Sequence, residues 1–572
     1  MNGLTLLIIA AVVLTAAYLL YGRFLARSWG IDPAKKTPAR EFEDGTEYVP
    51  STPAVVFGHE FASIAGAGPI NGPIIAAMFG WLPVLLWLLF GTVFFGAAHD
   101  FAALYTSVRN KGKSIGHVIE LYVGKTGKRL FLIFIWLFSI LIAGAFADIV
   151  AGTFAGFDPQ GLEIKTNARV ASASLLFVAA ALGLGLLIRR RKASDLASGI
   201  IAVDLLIFCI VLGLFFPIFL PKGLWLVLVF GYIFIASVVP VWLLGQPRNY
   251  LNFFLLIAMI LAAFIGVVFT RPEISIPPFT GFVVNGNYLF PGLFITIACG
   301  AISGFHSLVA TGSVSKQIDN ERYMLPISYG AMLLETLVAI LALIAVGSLA
   351  KDGVLPGGTP TLIFATAVSG FLHQLGLPSD VSFSIVSLAV SSFVLTTLDT
   401  VARLGRLSFQ ELFAGDKESG VGADRSPGKG PARISAILQW VMGSKAASAF
   451  CTLLPAYLLA ILGYQNIWAL FGAANQLLAA LTLLACALFL KRNSRKIVML
   501  ALPTAIMLIV TYSSLVLTIK TKIERVVSGN FDLGVDGMQL VIALALLILG
   551  ILVGISCVIK LFSKEQSPRA RP

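Results

Sequence analysis

The chain has 572 residues, 58% hydrophobic and only 12% charged, with a mean hydropathy of +0.91. Soluble domains carry close to a quarter charged residues, so the composition excludes a soluble protein, and the alternating pattern of an outer-membrane barrel is absent. The net charge of +13 does not point to nucleic acid: Lys and Arg cluster in loops between apolar stretches of about 20 residues, the pattern that sets membrane topology.

Taken in order, residues 4–21 read as a first span, since they lack the basic leader and cleavage site of a signal peptide. A polar loop over 22–52 leads to 54–79 (AVVFGHEFASIAGAGPINGPIIAAMF), which is long enough to cross a bilayer but carries Gly66, Gly68, Pro69, Gly72 and Pro73 in its middle. Proline removes a backbone donor and clashes with the preceding turn, and glycine removes side-chain restraint. Unwound backbone within a membrane is tolerated where it is buried in protein or lines a wet cavity. The segment therefore reads as an interrupted helix flooring a binding site, or else as a kinked structural helix. Spans at 80–106, 130–155, 168–188, 196–220, 223–244 and 250–270 follow, with basic loops at 107–129 and 189–192.

A second interrupted segment, 289–312, holds Pro291, Gly292, Gly300 and Gly304, with His306 near its far end. Paired broken helices in two halves of a chain point to the site of a secondary transporter. Beyond it lie 326–350, a short apolar piece at 361–374, a Ser/Thr-rich span at 381–402, a charged loop over 403–433, and spans at 445–462, 466–490, 497–518 and 538–561. Placing 107–129 inside and alternating puts every strong basic cluster on the cytoplasmic face, provided 361–374 is re-entrant. The expectation is an all-α integral membrane protein of about fifteen spanning helices plus that re-entrant piece, N-terminus outside and C-terminus cytoplasmic. The two interrupted helices then run antiparallel, as inverted repeats require. This divides the chain into 1–53 (peripheral helix and loop), 54–220 (first repeat), 221–288 (inserted pair), 289–490 (second repeat) and 491–572 (peripheral helices and tail), a five-plus-five core resembling the leucine-transporter fold.

The five cysteines are scattered through apolar segments without metal spacing, and HExxH, Walker A and Gly-x-Ser-x-Gly motifs are absent. An enzyme is therefore not expected, nor is a cofactor. A channel would need runs of intramembrane charge that the chain lacks. Ionisable residues within spans are costly and mark function by default. His59, Glu60, Asp148 and His306 suit proton exchange, and Asp204, Glu335 and Asp399 lie deep as well. His59 and Glu60 are neighbours, so a helix points them about 100° apart. His99-Asp100 reads as a functional pair or as a structural one. Half-helix N-termini present free N–H groups to a carboxylate, so Ser63, Gly66, Gly68, Asn71, Gly72, Ser303, Gly304 and His306 are the expected substrate-binding residues. Ser391, Ser392, Thr396 and Thr397, with Asp399 close by, offer hard oxygens for a sodium ion at Ser391 and Ser392, or else ordinary helix packing. A proton is the favoured coupling ion, because it needs only one titrating group, and sodium is the alternative.

The runs His59–Ile70 with Gly72-Pro73, His99-Asp100, Pro247–Asn252, 294–308 (FITIACGAISGFHSL), Ser315-Lys316-Gln317, 396–403 (TTLDTVAR) and 471–483 (FGAANQLLAALTL) resemble the carbon starvation protein A family. The resemblance extends from about residue 50 to 485; the chain is shorter than the family's longer members, and the stretch 312–315 departs slightly from the family's usual run. It implies a bacterial inner-membrane transporter of the amino-acid–polyamine–cation superfamily that takes up peptides or pyruvate under nutrient limitation. A nutrient-sensing transceptor with little flux is the alternative.

Overall fold

A computed structural model describes residues 2–45, 47–190, 195–240, 244–413 and 444–563. Arg191 and Lys192 of the basic run, residues 414–433 of the charged loop and the tail from 564 lie outside the described residues. The described chain is almost entirely helical, with one two-residue hairpin pairing Val283–Val284 and Asn287–Tyr288. Among the described residues, ten helices are long and apolar enough to cross a membrane, and an eleventh is added if the bent pair Pro53–Ile64 and Gly68–Phe79 is one span. The segments Ile200–Phe215, Lys222–Val238 and Lys445–Ile461 are shorter apolar helices, and 361–374 is the helix Pro360–Gln374. The first helix runs well past residue 21, so part of the expected 22–52 loop is helical: a π turn at Tyr18–Gly22 passes into Arg23–Trp29.

Lys125–Phe154, Ser379–Phe413 and Tyr464–Arg492 form the centre, and the last of these is buried throughout its apolar stretch. Close approach at the centre depends on small residues: a Cβ at Gly405 would sit 2.7 Å from the Thr452 methyl and 2.9 Å from the Ser139 Cβ. Outer helices turn Ile8, Val12, Leu20, Leu502, Val541 and Ile555 outward. So much exposed apolar surface is foreign to soluble proteins and suits hydrocarbon contact. The chain is a multi-pass membrane protein.

Both expected breaks are present. Thr52 is extended and Pro53 opens the first half-helix, where its missing N–H costs nothing. The helix ends at Ile64; Ala65 leaves helical geometry and the Gly66 N–H turns back to the Ile64 carbonyl at 2.7 Å. Pro69 opens the second half-helix, Gly68–Ala76, and the two halves meet at a 44° bend. The unwound stretch is thus 65–67, and Pro73 lies inside the restarted helix rather than in the break. The second interrupted segment comprises Leu289–Thr296, Ala298–Ala301 and Gly304–Gly312, with Ile302 and Ser303 fully extended between the last two. The segments cross each other: a Cβ at Gly72 would lie 2.7 Å from the Thr296 carbonyl oxygen.

At one end of the bundle, the segment before the first interrupted helix and the end of the span after it are both tied to the segment after the second interrupted helix. Arg40 pairs with Asp319, Arg109 with Glu321 at 2.8 Å and Lys316 with Glu47 at 2.7 Å, and the Asp32 N–H donates to Glu321 at 2.9 Å.

Candidate functional site

The two breaks wall a single cavity. Gly66, Gly68 and Pro69 from the first and Cys299, Ser303 and Phe305 from the second line it. Phe146, Thr397, Phe471 and Asn475 close it from the central helices. The lining is largely apolar with a few convergent polar groups, the common makeup of a small-molecule site. Asn475 organises the second break: its Oδ1 accepts from Ser303 Oγ at 3.2 Å and from the Phe305 N–H at 3.1 Å. One of the half-helix amides expected to be free for a carboxylate is therefore already capped.

The other expected substrate residues divide. Gly304 lies against helix Tyr464–Arg492, where a Cβ would meet Ala479 N and Asn475 O at 2.5 Å, so its smallness serves packing. The Ser63 hydroxyl donates to the His59 carbonyl of its own helix at 2.7 Å. Asn71 is fully buried, and neither side-chain polar atom has a hydrogen-bond partner among the described residues. A Cβ at Gly66 would sit 2.8 Å from Thr397 Oγ1, so the first break lies directly on the Ser/Thr-rich helix.

A cluster of titratable groups lies buried in the core. His306 Nδ1 contacts Asp100 Oδ2 at 2.8 Å, and its Nε2 faces Glu335 Oε2 at 3.3 Å. His99 Nδ1 contacts the other Asp100 oxygen at 2.8 Å. Glu60 is fully buried on Pro53–Ile64, a helix that packs against both Gly304–Gly312 and Gly330–Leu349, and neither of its oxygens has a hydrogen-bond partner among the described residues. His59 points elsewhere, as adjacency on a helix dictates, and its Nε2 meets Ser313 Oγ at 3.1 Å.

The 391–397 hydroxyls are largely spent on their own helix. Ser391 donates to the Leu388 carbonyl, Thr396 to Ser392 and Thr397 to Phe393, at 3.1, 2.9 and 3.2 Å. The Ser392 carbonyl accepts from Arg248 Nη2 and Asn252 Nδ2, both at 3.1 Å. Arg248 Nη1 pairs with Asp399 Oδ2 at 2.6 Å, and Tyr232 donates to the same oxygen at 2.8 Å. Asp148 stands apart from the titratable cluster: it pairs with half-exposed Lys222 at 2.7 Å and accepts the Tyr464 N–H at 2.9 Å, at the start of helix Tyr464–Arg492.

Arg248, Asn252, Cys299, Glu335 and Asn475 were not among the expected site residues. Glu335 had a signal as a lone intramembrane carboxylate. Arg248, Asn252, Cys299 and Asn475 fall inside the family-like runs, where nothing local marks them off from their neighbours.

A sequence profile described as carbon starvation protein CstA matches residues 2–356 and 351–514. The peptide transporter CstA of Bacillus subtilis (strain 168) is 34% identical over 85% of this chain and 84% of its own length. The Escherichia coli (strain K12) peptide transporter CstA is 33% identical over 90% of this chain and 80% of its own. The pyruvate/proton symporter BtsT of Escherichia coli (strain K12) is 35% identical over 66% of this chain and 53% of its own. In fold, the chain is similar to a mutant form of the Eremococcus coleocola manganese transporter, with a TM-score of 0.52 and 12% identity over 90% of this chain and 97% of that one. These relatives are named as transporters, not enzymes, and the profile and the identities together place the chain in the carbon starvation protein CstA family.

Proposed function

We propose that the chain is a secondary active transporter that imports small carboxylate nutrients, peptides or pyruvate, by proton-coupled alternating access. The observation that carries this is the single cavity walled by both helix breaks. A carboxylate at Gly66–Gly68 or Ser303 would meet backbone dipoles rather than hydrocarbon. The named activities of the relatives, peptide transport and pyruvate/proton symport, supply the substrate classes.

Two features favour protons over sodium. The hydroxyls of Ser391, Thr396 and Thr397 already donate within their helix, and Arg248 adds a fixed guanidinium at the Ser392 carbonyl. A tethered positive charge there opposes a mobile cation. The same reading takes the chain as an inner-membrane protein of about fifteen crossings built on a five-plus-five inverted repeat, N-terminus outside, active during nutrient limitation.

The test is uptake of labelled pyruvate and, in parallel, of a labelled dipeptide into proteoliposomes. A pH gradient, acidic outside, should drive accumulation of one of them in sodium-free buffer. Uptake that ignores the pH gradient and follows sodium would overturn the coupling, and passage without accumulation under any gradient would overturn active transport.

A further inference from the structure

We infer that Glu60, Asp100, His306 and Glu335 form one proton-binding site, shared by the two interrupted helices and the spans that follow them. This rests on the proton-coupled reading above but goes beyond it, in naming where the proton is held and how it is linked to the breaks.

The placement is systematic. Glu60 comes from the half-helix before the first break, and Asp100 from Ala97–Arg109, in the span after that interrupted helix. His306 comes from the half-helix after the second break, and Glu335 from Gly330–Leu349, in the span after it. Each interrupted helix and its following span thus contribute one group to a common centre. The imidazole of His306 bridges the two carboxylates of the spans, Asp100 at 2.8 Å and Glu335 at 3.3 Å.

The surroundings leave the charge to be balanced by protons. Pro53–Ile64 packs against the helices of His306 and Glu335 and carries the buried, unpartnered Glu60, while His59 turns to Ser313. From Ala97–Arg109, Asp100 and His99 face it. Ala298–Ala301 brings Cys299 within electrostatic range of Glu335. Helix Tyr464–Arg492 contributes the neutral Asn475, bonded to Ser303, and Thr482, whose hydroxyl meets Ser307. Among the described residues, no lysine or arginine pairs with Glu60, Asp100 or Glu335. Three ionised carboxylates outnumber the two imidazoles in contact with them, His99 and His306, so at least one negative charge would be left unpaired in a dry core, which is strongly disfavoured. Protons are the counter-charge that fits without a cavity or a metal ligand set.

The link to transport is mechanical. Losing a proton leaves the Glu60 carboxylate of the first interrupted helix facing the carboxylates of Asp100 and Glu335 on the two following spans, and regaining it removes that repulsion. The half-helix carrying Glu60 therefore has a reason to move against those spans with proton occupancy, beside the cavity that its break walls.

Two measurements test this on the full-length chain. The first needs no substrate: infrared difference spectra of the purified protein between acid and alkaline pH should show a buried carboxylic C=O band that is diminished in Glu60→Gln and in Glu335→Gln. An unchanged band in both variants overturns the assignment. The second is the ratio of pH-driven pyruvate or dipeptide accumulation to exchange in proteoliposomes. This ratio should collapse in Glu335→Gln and be partly restored in Glu335→Asp, because net accumulation must return the carrier unprotonated and exchange need not. A Glu335→Gln ratio equal to that of the unaltered chain overturns the site while leaving proton coupling intact. Loss of the pH response in the unaltered chain itself would count against the coupling, and the infrared band would then decide the site alone.

Discussion

Gly68 and Cys299 meet where the two interrupted helices cross: a Cβ added at 68 would fall on the Cβ and Sγ of Cys299. Both residues line the cavity, so the contact sets its width. Gly68→Ala should displace one half-helix, an overpacking cost of about 1–3 kcal/mol, and uptake should fall with it. Cys299→Gly in the same chain removes the atoms in the way and leaves the residue 299 Cα at 3.8 Å, an ordinary contact. Cys299→Ala keeps the offending Cβ. Uptake by the Gly68→Ala, Cys299→Gly double variant should therefore exceed that of Gly68→Ala, Cys299→Ala. Equal uptake by the two would show that the crossing tolerates the extra atom elsewhere.

Arg248 and Asp399 form a buried ion pair supported by Tyr232, with Asn252 and Arg248 both bonded to the Ser392 carbonyl. Removing one partner strands the other charge. Arg248→Leu alone should destabilise the chain by about 3–5 kcal/mol, read as a lower thermal unfolding midpoint in detergent. Arg248→Leu with Asp399→Leu should recover much of the loss. A double variant no better than Arg248→Leu would mean that the guanidinium's bond to the Ser392 carbonyl outweighs its ion pair.

The broken helices were legible because their signal is covalent: Pro69, Pro73 and the glycines restrict or free the backbone wherever they occur. The position of the break was less so. Proline is tolerated inside a helix when its neighbours absorb the lost bond, and Pro73 is, so the unwound residues are 65–67. Span lengths were blurred for a related reason: in a chain this apolar, hydropathy fades gradually into the loops, and helices such as Ser379–Phe413 run past the expected hydrocarbon limits. The titratable cluster was legible as separate residues only. Glu60, Asp100, His306 and Glu335 are far apart in sequence, and each alone admits a structural explanation. Their convergence is a product of helix crossing, which local pattern does not encode. Asn475 shows the same limit: in a buried helix, an Asn that caps another helix looks like any small polar residue at a packing interface.

Orientation is open to a direct test. Lys113 lies beside helix Ile115–Val123 and Arg322 follows the second interrupted helix, and both side chains are exposed at the end of the bundle where Arg109 meets Glu321. On a background free of other cysteines, Lys113→Cys and Arg322→Cys should react with a membrane-impermeant thiol reagent only after the cytoplasmic face is opened. Labelling of either in intact cells would reverse the proposed orientation, and with it the side from which the first half-helix enters the membrane.

Asp148 offers a test between a structural carboxylate and a proton-carrying one. Intramembrane acids read alike in a sequence, yet this one has firm partners: Lys222 Nζ at 2.7 Å and the Tyr464 N–H at 2.9 Å. The second bond satisfies an otherwise orphaned amide at the start of the central helix Tyr464–Arg492. Asparagine keeps an oxygen in place to accept from Tyr464 but carries no titratable proton. Asp148→Asn should therefore hold the protein's thermal stability near that of the unaltered chain and leave the pH dependence of uptake where it was. Asp148→Ala removes the cap as well and should cost about 1 kcal/mol or more, with no change in the pH profile of the transport that remains. A shifted pH profile in Asp148→Asn, with stability unchanged, would move Asp148 from helix capping into the proton path.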